Sequence, residues 1–372
     1  MIYLDNGATS FHKPPSVARA IKNALDTCAN PGRGAHAPAM AATRRVYACR
    51  QRAAEMFDCQ PEQVVFTANC THGLNIAIQS LVKPSARVVI SGFEHNAVLR
   101  PLYAIGAKIT VAGRRLFDPQ DTLESFENAL KAGQDVAVFT HVSNVFGYIL
   151  PAVEMAKLCR EYGVPFVIDA AQSAGVLPVK LGELGANYIA MPGHKGLLGP
   201  QGTGILICND LPKPLLFGGT GSDSQNRNMP DFLPDILEAG TQNVPGIAGL
   251  EAGLAYLQHM DLQTILQREK SCAQYCAHGL QRLGMDVFWS QDHQTGTLSF
   301  VPDADCEVFA QQLSKYGIAV RAGLHCAPLA HESAGTLERG TVRVSFGHDA
   351  SLMQAKTFLQ ATENVLHSRK NF

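Results

Sequence analysis

Between residues 64 and 208 seven short apolar runs recur, at 64–67, 87–91, 108–112, 136–142, 165–168, 188–191 and 204–208. Helix-like segments fall between many of them, at 71–82, 97–105, 123–131 and 151–162. The last has Pro151 at its first turn and Gly163 just past its end, the usual punctuation of a helix. The runs are continuously apolar rather than alternating, so both faces of the strands must be covered. Strands of that kind interleaved with helices predict an α/β domain, a mostly parallel seven-stranded sheet sheathed by helices.

The rhythm breaks at residue 209. Residues 209–246 carry Gly218-Gly219-Thr220-Gly221-Ser222 and a run of Asp, Asn and Pro; so long a loop is more often functional or interfacial than idle. One long amphipathic helix is expected over 246–283. Strand, helix, strand, strand and helix follow at 296–300, 306–316, 317–321, 341–346 and 352–368, a small α+β unit. Ahead of the sheet, helices at 14–28 and 41–57 flank an irregular loop, 30–38, with Arg33 and His36 on it. The expected division is a large domain over 14–245 and a small one made of 1–13 and 246–372.

The 31 basic and 32 acidic residues nearly cancel, which leaves no electrostatic footprint for nucleic acid or an anionic membrane. No apolar run is long enough to span a bilayer, and Met-Ile-Tyr-Leu-Asp-Asn lacks the regions of a signal peptide. Ten cysteines are dispersed without a Cys-x-x-Cys pair. They are expected to be mostly inert buried thiols of a protein in the reducing cytoplasm, with no metal site among them. Cys326 stands apart because its loop is charged and Gly-containing.

The chemistry centres on Met191-Pro192-Gly193-His194-Lys195-Gly196, where an apolar strand breaks into a Gly-rich turn. Ligands of α/β folds sit at such strand ends, and a lysine held there suits a Schiff base to a cofactor aldehyde. Read alone, Lys195 fits a solvated surface lysine equally well. Val167-Ile168-Asp169 ends another strand with a carboxylate, which if buried needs a cation or several donors. A protonated pyridine nitrogen would serve; so would a structural role as a helix cap. One strand–helix–strand unit separates Asp169 from Lys195, so the two can emerge at neighbouring strand ends, with Gln172 near the same ring.

Other groups extend the set. Thr71 opens a helix after a strand, where a phosphate or a plain cap fits. His95 ends a third strand and could stack on an aromatic ring or move protons. Arg321 and His325 neighbour Cys326 and could favour its thiolate. Arg343 alternates with apolar strand residues, so it would need an anion: a substrate carboxylate or a structural partner.

Tyr3-Leu4-Asp5-Asn6-Gly7-Ala8-Thr9, Glu94-His95-Asn96, Val142-Ser143-Asn144, Asp169-Ala170-Ala171-Gln172-Ser173, Gly193-His194-Lys195 and Arg321-Ala322-Gly323-Leu324-His325-Cys326-Ala327-Pro328 occur in this order. Together they resemble a cysteine desulfurase, one of the class V aminotransferase-like, fold type I pyridoxal-phosphate enzymes, over almost the whole chain. The Cys loop is more similar to the SufS-type branch than to the NifS/IscS-type branch. The resemblance implies pyridoxal 5'-phosphate on Lys195, Asp169 at the ring nitrogen, Gln172 at the ring hydroxyl and His95 stacked on the ring face. It further implies Thr71 and His194 at the phosphate, and Asn144 and Arg343 on the substrate carboxylate. Arg33, His36 and Arg321 would lie near the substrate, and Thr241 would reach the phosphate of a second subunit in a homodimer.

The activity implied is conversion of L-cysteine to L-alanine, with sulfur left as a persulfide on Cys326 and then passed to an acceptor protein or thiol. A selenocysteine lyase, a transaminase or other amino-acid lyase of the same fold, or a non-catalytic sulfur carrier or cofactor-binding protein are the alternatives. Two positions depart from the family pattern: Pro192 stands where a Ser or Thr usually binds phosphate, and His72 where Glu is frequent. Thr220 or Ser222 is expected to supply the donor that Pro192 cannot.

Overall fold

The computed structural model describes residues 1–32 and 34–370. All seven runs form strands of one sheet. After β1 (Ile2–Tyr3), α1 (Pro15–Thr27) and α2 (Ala37–Phe57) come β2 (Val64–Thr67), α3 (Cys70–Leu81), β3 (Arg87–Ser91) and α4 (Asn96–Ile105). Then follow β4 (Lys108–Ala112), α5 (Pro119–Lys131), β5 (Val136–Thr140), α6 (Ala152–Glu161), β6 (Phe166–Asp169), α7 (Leu181–Leu184), β7 (Tyr188–Pro192) and β8 (Gly204–Cys208). The order across the sheet is β2-β8-β7-β6-β5-β3-β4. The five strands from β7 to β4 run parallel, whereas β8 is antiparallel to both β7 and β2. β5 to β8 are buried at every position, as their continuous apolar pattern requires.

Local chemistry sets the helix ends. The Asp118 side chain accepts the Asp121 N–H ahead of Pro119 in α5, and Gly106, at φ 75°, closes α4 in a conformation that favours glycine. One apolar core gathers α2, α5 and α6 around Phe126, Phe139 and Ile189; the other packs α3 and α4 around Leu74, Val98 and Val138.

The remaining elements are α8 (Val244–Gln258), α9 (Leu262–Arg282), β9 (Asp286–Phe288), β10 (Thr297–Val301), α10 (Cys306–Lys315), β11 (Ile318–Ala319), β12 (Arg321–Gly323), α11 (Pro328–Ala334), β13 (Thr341–Ser345) and α12 (Leu352–Lys370). The single helix expected over 246–283 is two. Asp261 accepts the Gln263 N–H and starts α9 anew, because a side-chain cap satisfies donors that the preceding turn would otherwise hold. α8 buries Ile247, Leu250 and Leu254 in the first core of the larger sheet, while Cys272, Cys276 and Leu280 of α9 sit in a third core with Phe300, Phe309 and Phe358. A four-stranded antiparallel sheet, β12-β13-β10-β9, and the parallel pair β1-β11 complete this part. Asp5 bridges to Ser345, which ties the N-terminal segment to β13.

Candidate active site

Asp169, the last residue of β6, pairs in register with Ala190 of the parallel neighbour β7, and Lys195 lies in the turn after β7. On the other side of β6, Thr140 at the end of β5 pairs with Asp169. The same edge of the sheet therefore presents Asn144 after β5 and His95 after β3. Between β3 and β5 the strand order reverses direction, and clefts of open α/β sheets form at such a reversal. One cleft is lined by Thr71, His95, Asn144, Asp169, Gln172, His194 and Lys195. The sequence placed each of these residues in the site, and the fold brings them together.

The electrostatics follow from burial. Asp169 is 2% exposed. Burial raises its pKa, against the Ala171 N–H (2.9 Å), the Lys195 charge and the Cys70 thiol (3.5 Å), which favour the carboxylate. Both donors reach Oδ1, so Oδ2 has no hydrogen-bond partner among the described residues. Burial lowers the Lys195 amine, with Cys70 and Asp169 opposing. His95 is pushed down to about 4 by burial and then by Lys195, so its imidazole is neutral near pH 7. Its Nδ1 accepts the Ala97 N–H at 3.0 Å as it caps α4, which places the ring proton on Nε2. His194 is likewise pushed down to about 4, and its Nδ1 lies 3.0 Å from the Thr9 hydroxyl.

Thr71 is not the cap of α3. Asn69 is, accepting the His72 N–H at 2.9 Å, and the exposed Thr71 hydroxyl makes no hydrogen bond among the described residues. His72 instead accepts the Ala68 N–H through Nδ1 at 3.3 Å. A pyridoxal phosphate fits this donor set. The free Oδ2 of a buried Asp169 suits a protonated ring nitrogen, and the N-terminus of α3 with its free hydroxyl suits a phosphate.

The Cys loop is fastened over this edge. Asn144 Nδ2 donates to the His325 carbonyl at 2.8 Å, and the Asn96 N–H donates to the Cys326 carbonyl at 2.8 Å. His325 (φ 48°) and Cys326 (φ 56°) both take the left-handed conformation, and the Cys326 side chain is exposed. The other cysteines are buried or half-buried.

For Arg343 the sequence left two partners open, and the structure shows a protein carboxylate. Arg343 is 2% exposed, Nη2 donates to Asp5 at 2.7 Å, Nη1 donates to the Asn144 carbonyl at 2.9 Å, and Nε is buried without a partner. Arg321 grips the same carboxylate, with Nη2 2.8 Å from Oδ2. Gly7 admits this contact, since a Cβ there would stand 3.1 Å from Arg343 Cζ.

Some expected residues lie elsewhere. Thr220 and Ser222 bond to each other at 3.0 Å in a pocket formed within residues 217–230, and neither lines the cleft. Among the described residues that line this chain's cleft, neither of the hydroxyls expected to replace Pro192 is found, because the loop after β8 holds both in its own pocket. His36 is exposed and caps α2, its Nδ1 accepting the Ala39 N–H at 3.4 Å. Thr241 lines a separate groove with Phe66, His72 and Gly202. Arg33 lies outside the described residues. Sequence reasoning overlooked Cys70 and Asp5 as site residues, although Cys70 directly precedes Thr71 and Asp5 opens the Asp5-Asn6-Gly7 turn.

The sequence pattern of the family described as Aminotransferase class-V matches residues 2–358. The chain belongs to that family. A probable cysteine desulfurase of Pyrococcus abyssi is 32% identical, over 100% of this chain and 96% of the relative. The apo structure of the cysteine desulfurase of Thermococcus onnurineus superposes with a TM-score of 0.90 at 31% identity, covering 99% of this chain and 95% of that one. The cysteine desulfurase CsdA of Escherichia coli, solved as an S-sulfonic acid, gives 0.87 at 26% identity over 98% and 94%. As a family member the chain has the fold type I architecture, and its mostly parallel sheet accords with that.

Proposed function

We infer that this chain is a pyridoxal-phosphate-dependent cysteine desulfurase that converts L-cysteine to L-alanine and keeps the sulfur on Cys326. The observation that carries the reading is the fastening of the Cys326 loop to Asn144, a residue of the same cleft that holds Asp169 and Lys195. The named relatives support it.

The cofactor, when bound, supplies an electron sink for the bond broken at the substrate Cα. Lys195, whose amine burial shifts toward the neutral form, takes the Cα proton. Asp169 holds the ring nitrogen through its free Oδ2 and keeps that end of the site negative. His95, neutral with its proton on Nε2, offers a flat apolar face to the ring. Arg343, with Nε unspent, and Asn144 orient the substrate carboxylate. The Cys326 thiolate then attacks the substrate sulfur: an S–S bond forms, the C–S bond breaks, and the carbon takes a proton to become the methyl group of alanine. The resulting persulfide passes to an acceptor protein or thiol.

The long loop after β8 and the placement of Thr241 outside this chain's own cleft support a homodimer in which Thr241 serves the partner's phosphate. The Cys loop supports the SufS-type branch, and Arg321 and His36 are assigned to the approach to the site. A thiol that must stay reduced suits a cytoplasmic setting. No helix among the described residues is long and apolar enough to cross a membrane.

The direct test is to load the protein with pyridoxal phosphate, add L-cysteine with a thiol reductant and quantify alanine. Alanine that disappears in Lys195→Ala is expected. Turnover of a different amino acid, with L-cysteine left intact, would overturn the reading.

A further inference from the structure

The long segment between β8 and α8 is pinned to the large sheet by a buried ion pair between Arg50 of α2 and Glu238. Nη1 and Nη2 of the arginine donate to the two carboxylate oxygens at 3.0 and 2.8 Å. Oε1 of Glu238 also accepts the Phe66 N–H of β2 at 2.9 Å, and Oε2 accepts the side-chain amide of Gln242. Arg50 lies over the Phe66 ring, 4.6 Å from its centroid, and donates to the Val64 carbonyl. One pair thus joins α2, β2 and the segment 238–242.

A buried ion pair is weak evidence for stability, because desolvation of both charges offsets much of their attraction and an apolar pair of similar volume can do as well. An apolar pair could not accept the Phe66 N–H or the Gln242 amide, so what this pair adds is geometry. Its effect falls on Thr241. On one side of that residue Gln242 is tied to Glu238; on the other the Gly240 N–H donates to the Gly219 carbonyl at 2.8 Å. Asn243, next along, caps α8 and donates to the Gly202 carbonyl at 3.2 Å. Thr241 itself is exposed, and its hydroxyl has no hydrogen-bond partner among the described residues. A hydroxyl held by its neighbours yet left unspent suits a ligand outside this chain's own cleft.

We propose that Glu238, held by Arg50, is the positioning residue that presents Thr241 to the cofactor phosphate of the partner subunit. This role rests on the homodimer assigned above. Loss of the pair frees the Thr241 segment and weakens the hold on the phosphate across the interface, while the ring end of the cleft, where Asp169 and Lys195 act, keeps its geometry.

The test titrates cofactor-free proteins with pyridoxal phosphate and with pyridoxal, followed by fluorescence, with sedimentation reporting the dimer. Glu238→Gln should bind pyridoxal phosphate about tenfold more weakly than the native protein, as the loss of a hydrogen bond to a charged group implies, and pyridoxal equally well. Thr241→Val should do the same. The decisive sample is a mixed dimer, isolated through two affinity tags, of a native subunit and a subunit carrying both Glu238→Gln and Lys195→Ala. Schiff-base absorbance then reports only the native cleft. That cleft should bind pyridoxal phosphate as weakly as the Glu238→Gln homodimer, since the defect lies in the segment its partner supplies. Native affinity in the mixed dimer, or equal weakening toward pyridoxal, overturns the proposal. If Thr241→Val weakens binding and Glu238→Gln does not, the proposal fails while the homodimer stands; a monomeric native protein, or native affinity in Thr241→Val, removes both. Should Glu238→Gln not fold, Gln242→Leu, which keeps the ion pair, serves in its place with a weakening of about two- to tenfold toward pyridoxal phosphate alone, and an unchanged affinity would overturn the proposal.

Discussion

Cys70, the first residue of α3, donates its thiol hydrogen to Oδ1 of Asp169 across 3.5 Å. Burial and the Asp169 charge push this thiol well above its ordinary range, so it stays protonated and remains a donor. With the Ala171 N–H it fixes one oxygen of the carboxylate and turns the other toward the cleft. Cys70→Ser keeps a donor in place and Cys70→Val removes it. A net hydrogen bond of about 0.5–1.5 kcal/mol corresponds to roughly a two- to tenfold loss of pyridoxal phosphate affinity in the valine variant, with serine near the native value. Fluorescence titration of the cofactor-free proteins measures this. Equal affinity for native and valine proteins would dismiss Cys70 as a positioning residue.

Arg343 holds Asp5 and the Asn144 carbonyl with one planar fork, a geometry that lysine cannot reproduce. Arg343→Lys keeps the charge and loses the fork, so KM for L-cysteine should rise about tenfold or more while kcat falls less. Steady-state alanine production gives both constants. An unchanged KM would show that Arg343 serves only the ion pair with Asp5.

Glu94 is fully buried. Its Oε1 accepts the Thr140 N–H at 2.8 Å and the Ser91 hydroxyl, while Oε2 has no partner. Burial lifts it from 4.5 to about 8. Between those values the unfolded chain releases the proton and the folded protein keeps it, so this group's contribution to stability is present below 4.5 and is lost as pH rises toward 8. Glu94→Gln, which stays neutral, should remove up to about 1.4 kcal/mol per pH unit of that decline. Urea unfolding of both proteins at several pH values in this window checks it; parallel pH profiles would contradict the assignment.

The strands were legible because burial on both faces leaves an apolar run that sequence shows directly. Asp169, Lys195, His95 and Asn144 were legible because each ends such a run or follows it closely. What escaped detection depends on contacts across the chain. The choice of Asp5 as the partner of Arg343 is made by the bridge between the N-terminal segment and β13, which leaves no local pattern. The break between α8 and α9 rests on one cap at Asp261 inside an otherwise helical sequence. Thr220 and Ser222 were assigned by residue type alone, and the path of a long loop is not encoded in its hydroxyls. Cys70 was grouped with inert thiols because burial and function are hard to separate in sequence. Its neighbour across the cleft is what distinguishes it.

The central claim is that Cys326 receives the substrate sulfur. Native protein and Cys326→Ala, both loaded with pyridoxal phosphate, should be given L-cysteine and assayed for alanine and for a persulfide by intact-protein mass. The native protein should form alanine and gain one sulfur atom, and Cys326→Ala should lose nearly all alanine formation and gain none while still binding the cofactor. Alanine released by Cys326→Ala at the native rate would contradict the account.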